Sequence, residues 1–237
     1  MLMEYQKKKD YLYNIKGPYG TLHTDIILLG RILYAIKKGF SPIILVVGSQ
    51  RIGKSFVAVW IGFRIMRFFH RERQFDIKRN TFYDPLQAIQ RLEDLNMEPV
   101  IIDEAGAMLN KSEWYQKISI ALDKIIQTMG FLSNTYIFVS PFGADVAKSF
   151  RKHFDYIVYV RRRGAIVVKE VPKKYDDLSG KMPKPFRIEQ IRLHMNCVPK
   201  KLWAEYEEFS IGKKREMREE LSKRHTAIKL DPFGRPV

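Results

Sequence analysis

Two short runs carry residue types that could do chemistry together. The first is Gly48-Ser49-Gln50-Arg51-Ile52-Gly53-Lys54-Ser55, the pattern of a P-loop. Its glycines let the chain wrap closely, so that successive backbone N–H groups turn inward and cradle a β-phosphate. Lys54 can then reach the β- and γ-phosphates, and the Ser55 hydroxyl can coordinate Mg²⁺. A helix beginning at Lys54 would add the partial positive charge of its N-terminus. Gly48 to Ser55, with Phe56 behind them, are the candidate nucleotide-binding residues, and ATP with Mg²⁺ is the implied cofactor pair. The plainer alternative, a chance glycine turn, has both flanks against it. An apolar strand pattern precedes Gly48 and a helical one follows Lys54.

The second run is Ile101-Ile102-Asp103-Glu104. Asp103 ends a wholly apolar strand pattern and would hold the Mg²⁺ together with Ser55. Glu104, beside it, is placed to polarise an attacking water as general base. Alone, the pair could merely cap a helix starting near Ala105; beside a P-loop it points to hydrolysis. Two further catalytic candidates stand beside Glu104 and Lys54. Ser140 ends a strand expected to lie between those of the loop and of Asp103, where a polar side chain can sense the γ-phosphate; a Ser-Pro turn with Pro141 is the alternative. Arg151 is the first choice for an arginine reaching a neighbouring subunit's site, with Arg161, Arg162 and Arg163 as runners-up. Each of these arginines could equally contact DNA phosphate or stay solvated. Arg51 could line the nucleotide or face a neighbour.

Positioning these groups calls for strands and helices in alternation. Thr21–Lys38 has helical spacing, with Ile26, Leu29, Leu33 and Ile36 on one face and Gly39 as the stop. Ile43–Val47 reads as a strand buried on both faces. A helix follows from Lys54 to about Arg71. Phe75–Ile77 and Thr81–Tyr83 read as short strands. Asp84 suits an N-cap and Pro85 the first turn of a helix running to about Leu95. Val100–Ile102 is a strand, Trp114–Met129 an amphipathic helix, Tyr136–Val139 a strand and Asp145–His153 a helix. Tyr156–Val160 and Ala165–Val168 can pair across Arg161–Gly164. Pro172–Pro185 reads as a loop, Pro199 to about Ser210 as a helix, and Lys213–His225 as a charged helix or tail. This alternation predicts an α/β fold with a doubly wound, mainly parallel sheet; together with the two motifs, the fold expected is that of P-loop ATPases with an inserted strand. Residues 1–40 form an N-terminal segment and helix, 41–171 the ATPase core, and 172–237 a small basic C-terminal extension.

Composition bounds the reading. Of 237 residues, 46% are hydrophobic, enough for a sizeable core. The single cysteine and scattered histidines offer neither an internal disulfide nor a zinc site. The N-terminus has no apolar core like a signal peptide's, and the most apolar stretch, Phe56–Phe69, is broken by Arg64 and Arg67. No membrane span and a cytoplasmic setting are expected, in the host cytoplasm if the protein is viral. The formal net charge is +16; residues 41–144 carry only +2 of it and residues 145–225 carry +9. That distribution fits a polyanion partner, most often nucleic acid, as well as a solvated basic surface. Arg161-Arg162-Arg163-Gly164 at a hairpin tip, or Lys213-Lys214-Arg215 on a helix, could meet duplex DNA through its phosphates with little sequence preference.

Several of these runs, in this order, carry a resemblance. They are Phe82-Tyr83-Asp84-Pro85, then Ile101-Ile102-Asp103-Glu104-Ala105-Gly106, then Tyr136-Ile137-Phe138-Val139-Ser140-Pro141, then Phe150-Arg151 before Tyr156-Ile157-Val158. Over about residues 41–170 the chain resembles ATPases of the FtsK–HerA superfamily, and within it Zot-like and archaeal viral or plasmid members, including genome-packaging ATPases. The resemblance implies a homo-oligomeric, hexameric ring that moves double-stranded DNA, with a portal or membrane complex as a further partner. The chain departs from it at Ser140-Pro141, where many members carry a glutamine sensor. It also departs in having no spanning segment after the ATPase region, which favours a soluble packaging or transfer ATPase. Two other readings stay open: an AAA-type replication initiator or helicase loader, with residues 175–225 as a helical lid, and an ATP-dependent switch acting on protein partners. A small-molecule kinase ranks lowest, because Glu104 and the basic tail would have no role.

Overall fold

The computed structural model describes residues 15–22, 24, 26–70, 74–103, 116, 119–121, 123–125, 127, 132–140, 153–172 and 184–227. Among them, strands β3 (Ile43–Val47), β4 (Thr81–Phe82), β5 (Pro99–Ile102), β6 (Thr135–Ser140), β7 (Tyr156–Arg162), β8 (Ala165–Glu170) and β9 (Phe186–Arg192) form one mixed sheet. Their order across it is β4-β5-β6-β3-β7-β8-β9. The pairings from β4 to β7 are parallel, and β8 and β9 add on antiparallel. The fold is therefore α/β. A small separate hairpin, β1 (Ile15–Gly17) with β2 (Gly20–Leu22), precedes it.

The central strands are apolar on both faces because both are covered. Ile44 and Val46 of β3 pack towards α1 (Ile27–Lys37) and α2 (Lys54–Phe69). Ile43, Leu45 and Val47 turn to the other side, where Ala88, Ile89, Ala121 and Ile125 meet Phe138 and Phe154. The described residues between 116 and 127 are helical, as the spacing predicts. The helix expected over 145–153 falls almost wholly outside the described residues.

Four local expectations are corrected. Thr21 lies in β2, and the first helix starts only at Ile27. No local side chain caps that start; Glu189 of β9 does, accepting from the Ile27 and Leu28 amides at 3.0 and 3.1 Å. Phe75–Ile77 is not a strand: Asp76 accepts from the Lys78 and Arg79 amides and starts a short helix, α3 (Ile77–Asn80). Helix α4 is shorter than expected, Pro85–Gln90, with Asp84 as its cap and a 3₁₀ turn at Leu92–Asp94 after it. The C-terminal helix is one element, α5 (Lys200–Ala227), and runs through Gly212 without a break.

Candidate functional site

The loop Gly48–Gly53 leaves β3 at its carboxyl end and turns into α2. Two glycines are required by geometry. A Cβ on Gly48 would lie 2.7 Å from the Val160 carbonyl oxygen, so β7 leaves no room for a side chain there. Gly53 caps α2 in the left-handed region, φ 97°. Arg51 also takes a left-handed conformation, φ 58°, which alternates the backbone as an anion-binding nest does. Lys54 is 4% exposed, and its Nζ donates to the Ser49 carbonyl at 2.8 Å, arching over the loop.

Asp103 follows β5, two strands from β3, with β6 between. Its amide donates to the Phe82 carbonyl at 2.8 Å, tying the strand end to β4. The side chain is fully buried. Ser55 Oγ donates to Asp103 Oδ1 at 3.1 Å, across 48 positions of sequence. Mg²⁺ takes oxygen ligands at about 2.0–2.1 Å in an octahedron, so neighbouring ligands stand about 2.9 Å apart. A hydroxyl and a carboxylate oxygen at this spacing fit that ion. Among the described residues no group of three or more His, Cys, Asp or Glu side chains could hold a metal alone. Ser55 and Asp103 would thus share it with phosphate and water, as Mg²⁺ sites commonly do.

Ser140 is fully buried at the carboxyl end of β6, paired with Val47, between the loop's strand and that of Asp103. Glu104 and Arg151 lie outside the described residues. Arg163, at the β7–β8 turn, comes to the loop of its own chain: its Cγ is 3.8 Å from where a Gly53 Cβ would stand. It needs no neighbouring subunit to reach the loop.

The part of the site that sequence reasoning missed comes from α5. A cleft of about 840 Å³ opens over Gln50, Arg51, Lys54 and Ser55, and its opposite wall is α5. Trp203, Tyr206, Ser210, Lys214 and Arg218 line that wall, with Glu207 beside them. The positions advance by three and then by fours, so one helix face carries aromatic groups at one end and cations at the other. That stripe is visible in the sequence, but nothing local says what it faces. The helix is seated by aromatic contacts. Trp203 meets Phe56 edge-on at 5.2 Å and stacks on Tyr206 at 5.0 Å, and Phe209 lies 6.0 Å from Tyr83.

Tyr206 reaches furthest in: its hydroxyl donates a hydrogen bond to Asp103 Oδ2. Burial pushes the Tyr206 phenol well above its ordinary range. The charges of Asp103 and Tyr83 and the bond to Asp103 add to this, and the hydrogen bond with Ser55 opposes it. The phenol is therefore a proton donor at neutral pH. No helix among the described residues is long and apolar enough to cross a membrane. No family model matches the chain, and no characterised protein matches it in sequence.

Proposed function

We propose that the protein is a Mg²⁺-dependent P-loop ATPase of the inserted-strand type, and that it drives translocation of duplex DNA as an FtsK–HerA-like packaging or transfer motor. The observation that carries the ATPase reading is the meeting of Ser55 Oγ and Asp103 Oδ1 at 3.1 Å, beside buried Lys54 at the carboxyl ends of parallel strands. Ligands of open α/β sheets bind at that edge. The loop amides and Lys54 bind and orient the phosphates, and Ser55 and Asp103 supply the hard oxygens. A bound Mg²⁺ would neutralise charge developing on the terminal phosphate. Glu104, next in sequence to Asp103, takes the proton from water, and Arg163 adds a cation beside the loop.

Support for a DNA substrate comes from the charge excess beyond residue 145 and from the order of motifs, and is independent of the loop. The reading of an AAA-type initiator or loader draws on a different observation, that α5 walls the cleft with Lys214 and Arg218. Steady-state ATPase with and without long duplex DNA, together with electron microscopy for rings, separates the two. The motor reading expects DNA stimulation and hexameric rings, and it fails if the protein stays monomeric with unchanged turnover. Lys54→Ala is expected to abolish nucleotide binding. Glu104→Gln is expected to keep binding and stop hydrolysis; normal turnover in that variant would remove Glu104 as the base.

A further inference from the structure

Asp103 uses its two carboxylate oxygens differently. Oδ1 faces Ser55 at the spacing of neighbouring Mg²⁺ ligands, and Oδ2 is taken by the phenol of Tyr206. Tyr206 stands 103 residues further along the chain, on a helix that belongs to neither motif. We propose that Tyr206 is a positioning residue of the metal–nucleotide centre: its hydroxyl holds Oδ2 so that Oδ1 stays turned towards Ser55, coupling the seating of α5 to Mg²⁺-nucleotide binding. This rests on the reading of the cleft as a Mg²⁺-nucleotide site.

The phenol is held from several sides. The Tyr206 ring is 4% exposed and lies nearly parallel to Trp203, at 21°. Trp203 in turn stands edge-on, at 73°, against Phe56, the residue after Ser55. The hydroxyl cannot swing away without disturbing that stack. A carboxylate on a short side chain has one torsion that tilts its two oxygens, so fixing one fixes the other. Hydrogen-bond partners of this kind orient metal ligands, and their loss typically weakens metal binding by about 10–100-fold. A tyrosine buried only for packing would need no carboxylate partner; any carbonyl would satisfy its hydroxyl. Coupling of this kind is reciprocal, so Mg²⁺-nucleotide should in turn stabilise the seated helix.

Tyr206→Phe keeps the ring and the stack and removes only the hydroxyl. Binding of a fluorescent ATP analogue to the full chain is measured against Mg²⁺ concentration, and again with chelator and no Mg²⁺. The proposal expects the Mg²⁺ midpoint to rise about 10-fold or more in Tyr206→Phe, with metal-free binding unchanged. Phe209→Leu serves as the comparison, because it loosens α5 at Tyr83 without touching Asp103. It should lower the melting temperature and shift the Mg²⁺ midpoint by far less than Tyr206→Phe does, because the Tyr206 hydroxyl still holds Oδ2. Reading the ratio of metal-present to metal-free binding cancels any loss of folded protein. The proposal is overturned if Tyr206→Phe keeps the wild-type midpoint, or if Phe209→Leu shifts it equally. If the wild-type chain itself binds the analogue without any response to Mg²⁺, the nucleotide-site reading falls and the proposal falls with it.

Discussion

Strand β5 has a buried carboxylate at each end, and the two are built differently. At the amino end Glu98, 1% exposed, meets the guanidinium of Arg79. Arg79 Nη2 reaches Oε1 at 3.1 Å and Nε reaches Oε2 at 3.2 Å, while Asn80 Nδ2 donates to Oε2 at 3.0 Å. At the carboxyl end, fully buried Asp103 accepts, among its contacts, from the hydroxyls of Ser55 and Tyr206. A guanidinium fork neutralises a carboxylate and fixes it in plane. A hydroxyl carries no charge and rotates about its bond, so it can give up one oxygen for another. The amino end is a structural clasp. On the proposed reading, the hydroxyls at the carboxyl end hold a carboxylate oxygen that a cation can share.

Asp103→Asn should break function and spare the fold. Asparagine keeps the shape and an acceptor oxygen for Tyr206, and it removes a buried charge. Mg²⁺-dependent ATP turnover is expected to fall more than about 100-fold, because on the proposed reading Asp103 holds the metal, and a residue that does so matters at least as much as its supporting partners. The melting temperature should stay within about 3 °C of the parent or rise, as happens when a site strained for function is relaxed. A variant that melts more than about 10 °C lower while turning over normally would make Asp103 a second structural clasp, and the contrast would collapse.

Arg79→Ala should do the reverse. It leaves Glu98 buried without its guanidinium, a kind of break that costs about 3–5 kcal/mol when both partners are fully buried. The Arg79 side chain is 39% exposed, so water can partly replace it, and about 2–3 kcal/mol is the expected loss. For a chain of this size that is a drop of roughly 4–12 °C in melting temperature. Mg²⁺-ATP affinity in the folded protein should stay within about 3-fold of the parent, the two ends being separated by the length of the strand. A large loss of Mg²⁺-ATP affinity in Arg79→Ala would mean that β5 transmits its amino end to the site.

The carboxyl end was more legible in the sequence than its surroundings. The glycine loop and the strand ending at Asp103 follow from local patterns, and the placement of the Ser140 strand between them follows from the layout expected of a P-loop fold with an inserted strand. Apolar β-branched runs make buried parallel strands, and parallel strands bring their carboxyl ends to one edge. What stayed illegible depends on distant partners. Strand β9, Phe186-Arg-Ile-Glu-Gln-Ile-Arg, is a charged edge strand with no apolar run to announce it. Its Glu189 caps a helix 162 residues away, so the start of α1 has no local signal. Asp76 beside Phe75 and Ile77 fits a strand pattern locally, yet its capping of the Lys78 and Arg79 amides decides the segment. Tyr206 falls within the stretch from Pro199 to about Ser210 that reads as a helix; that its hydroxyl meets Asp103 is not legible, because nothing within 100 residues of it in sequence encodes the contact.

The smallest expected effect concerns the cover of the carboxyl end. Gly212 sits inside α5, where glycine costs about 1 kcal/mol relative to alanine. A methyl group there would meet nothing within 4 Å, so Gly212→Ala probes helix propensity without a change in packing. If the helix is straight at this point in the working protein, the substitution raises the melting temperature by about 2–4 °C. Mg²⁺-ATP affinity should hold within about 3-fold, since the side chains lining the cleft are unchanged. A fall in melting temperature would show instead that α5 bends at residue 212, separating the half that carries Tyr206 from the half that carries Lys214 and Arg218. The contrast along β5 would then sharpen into one between a rigid clasp and a jointed cover.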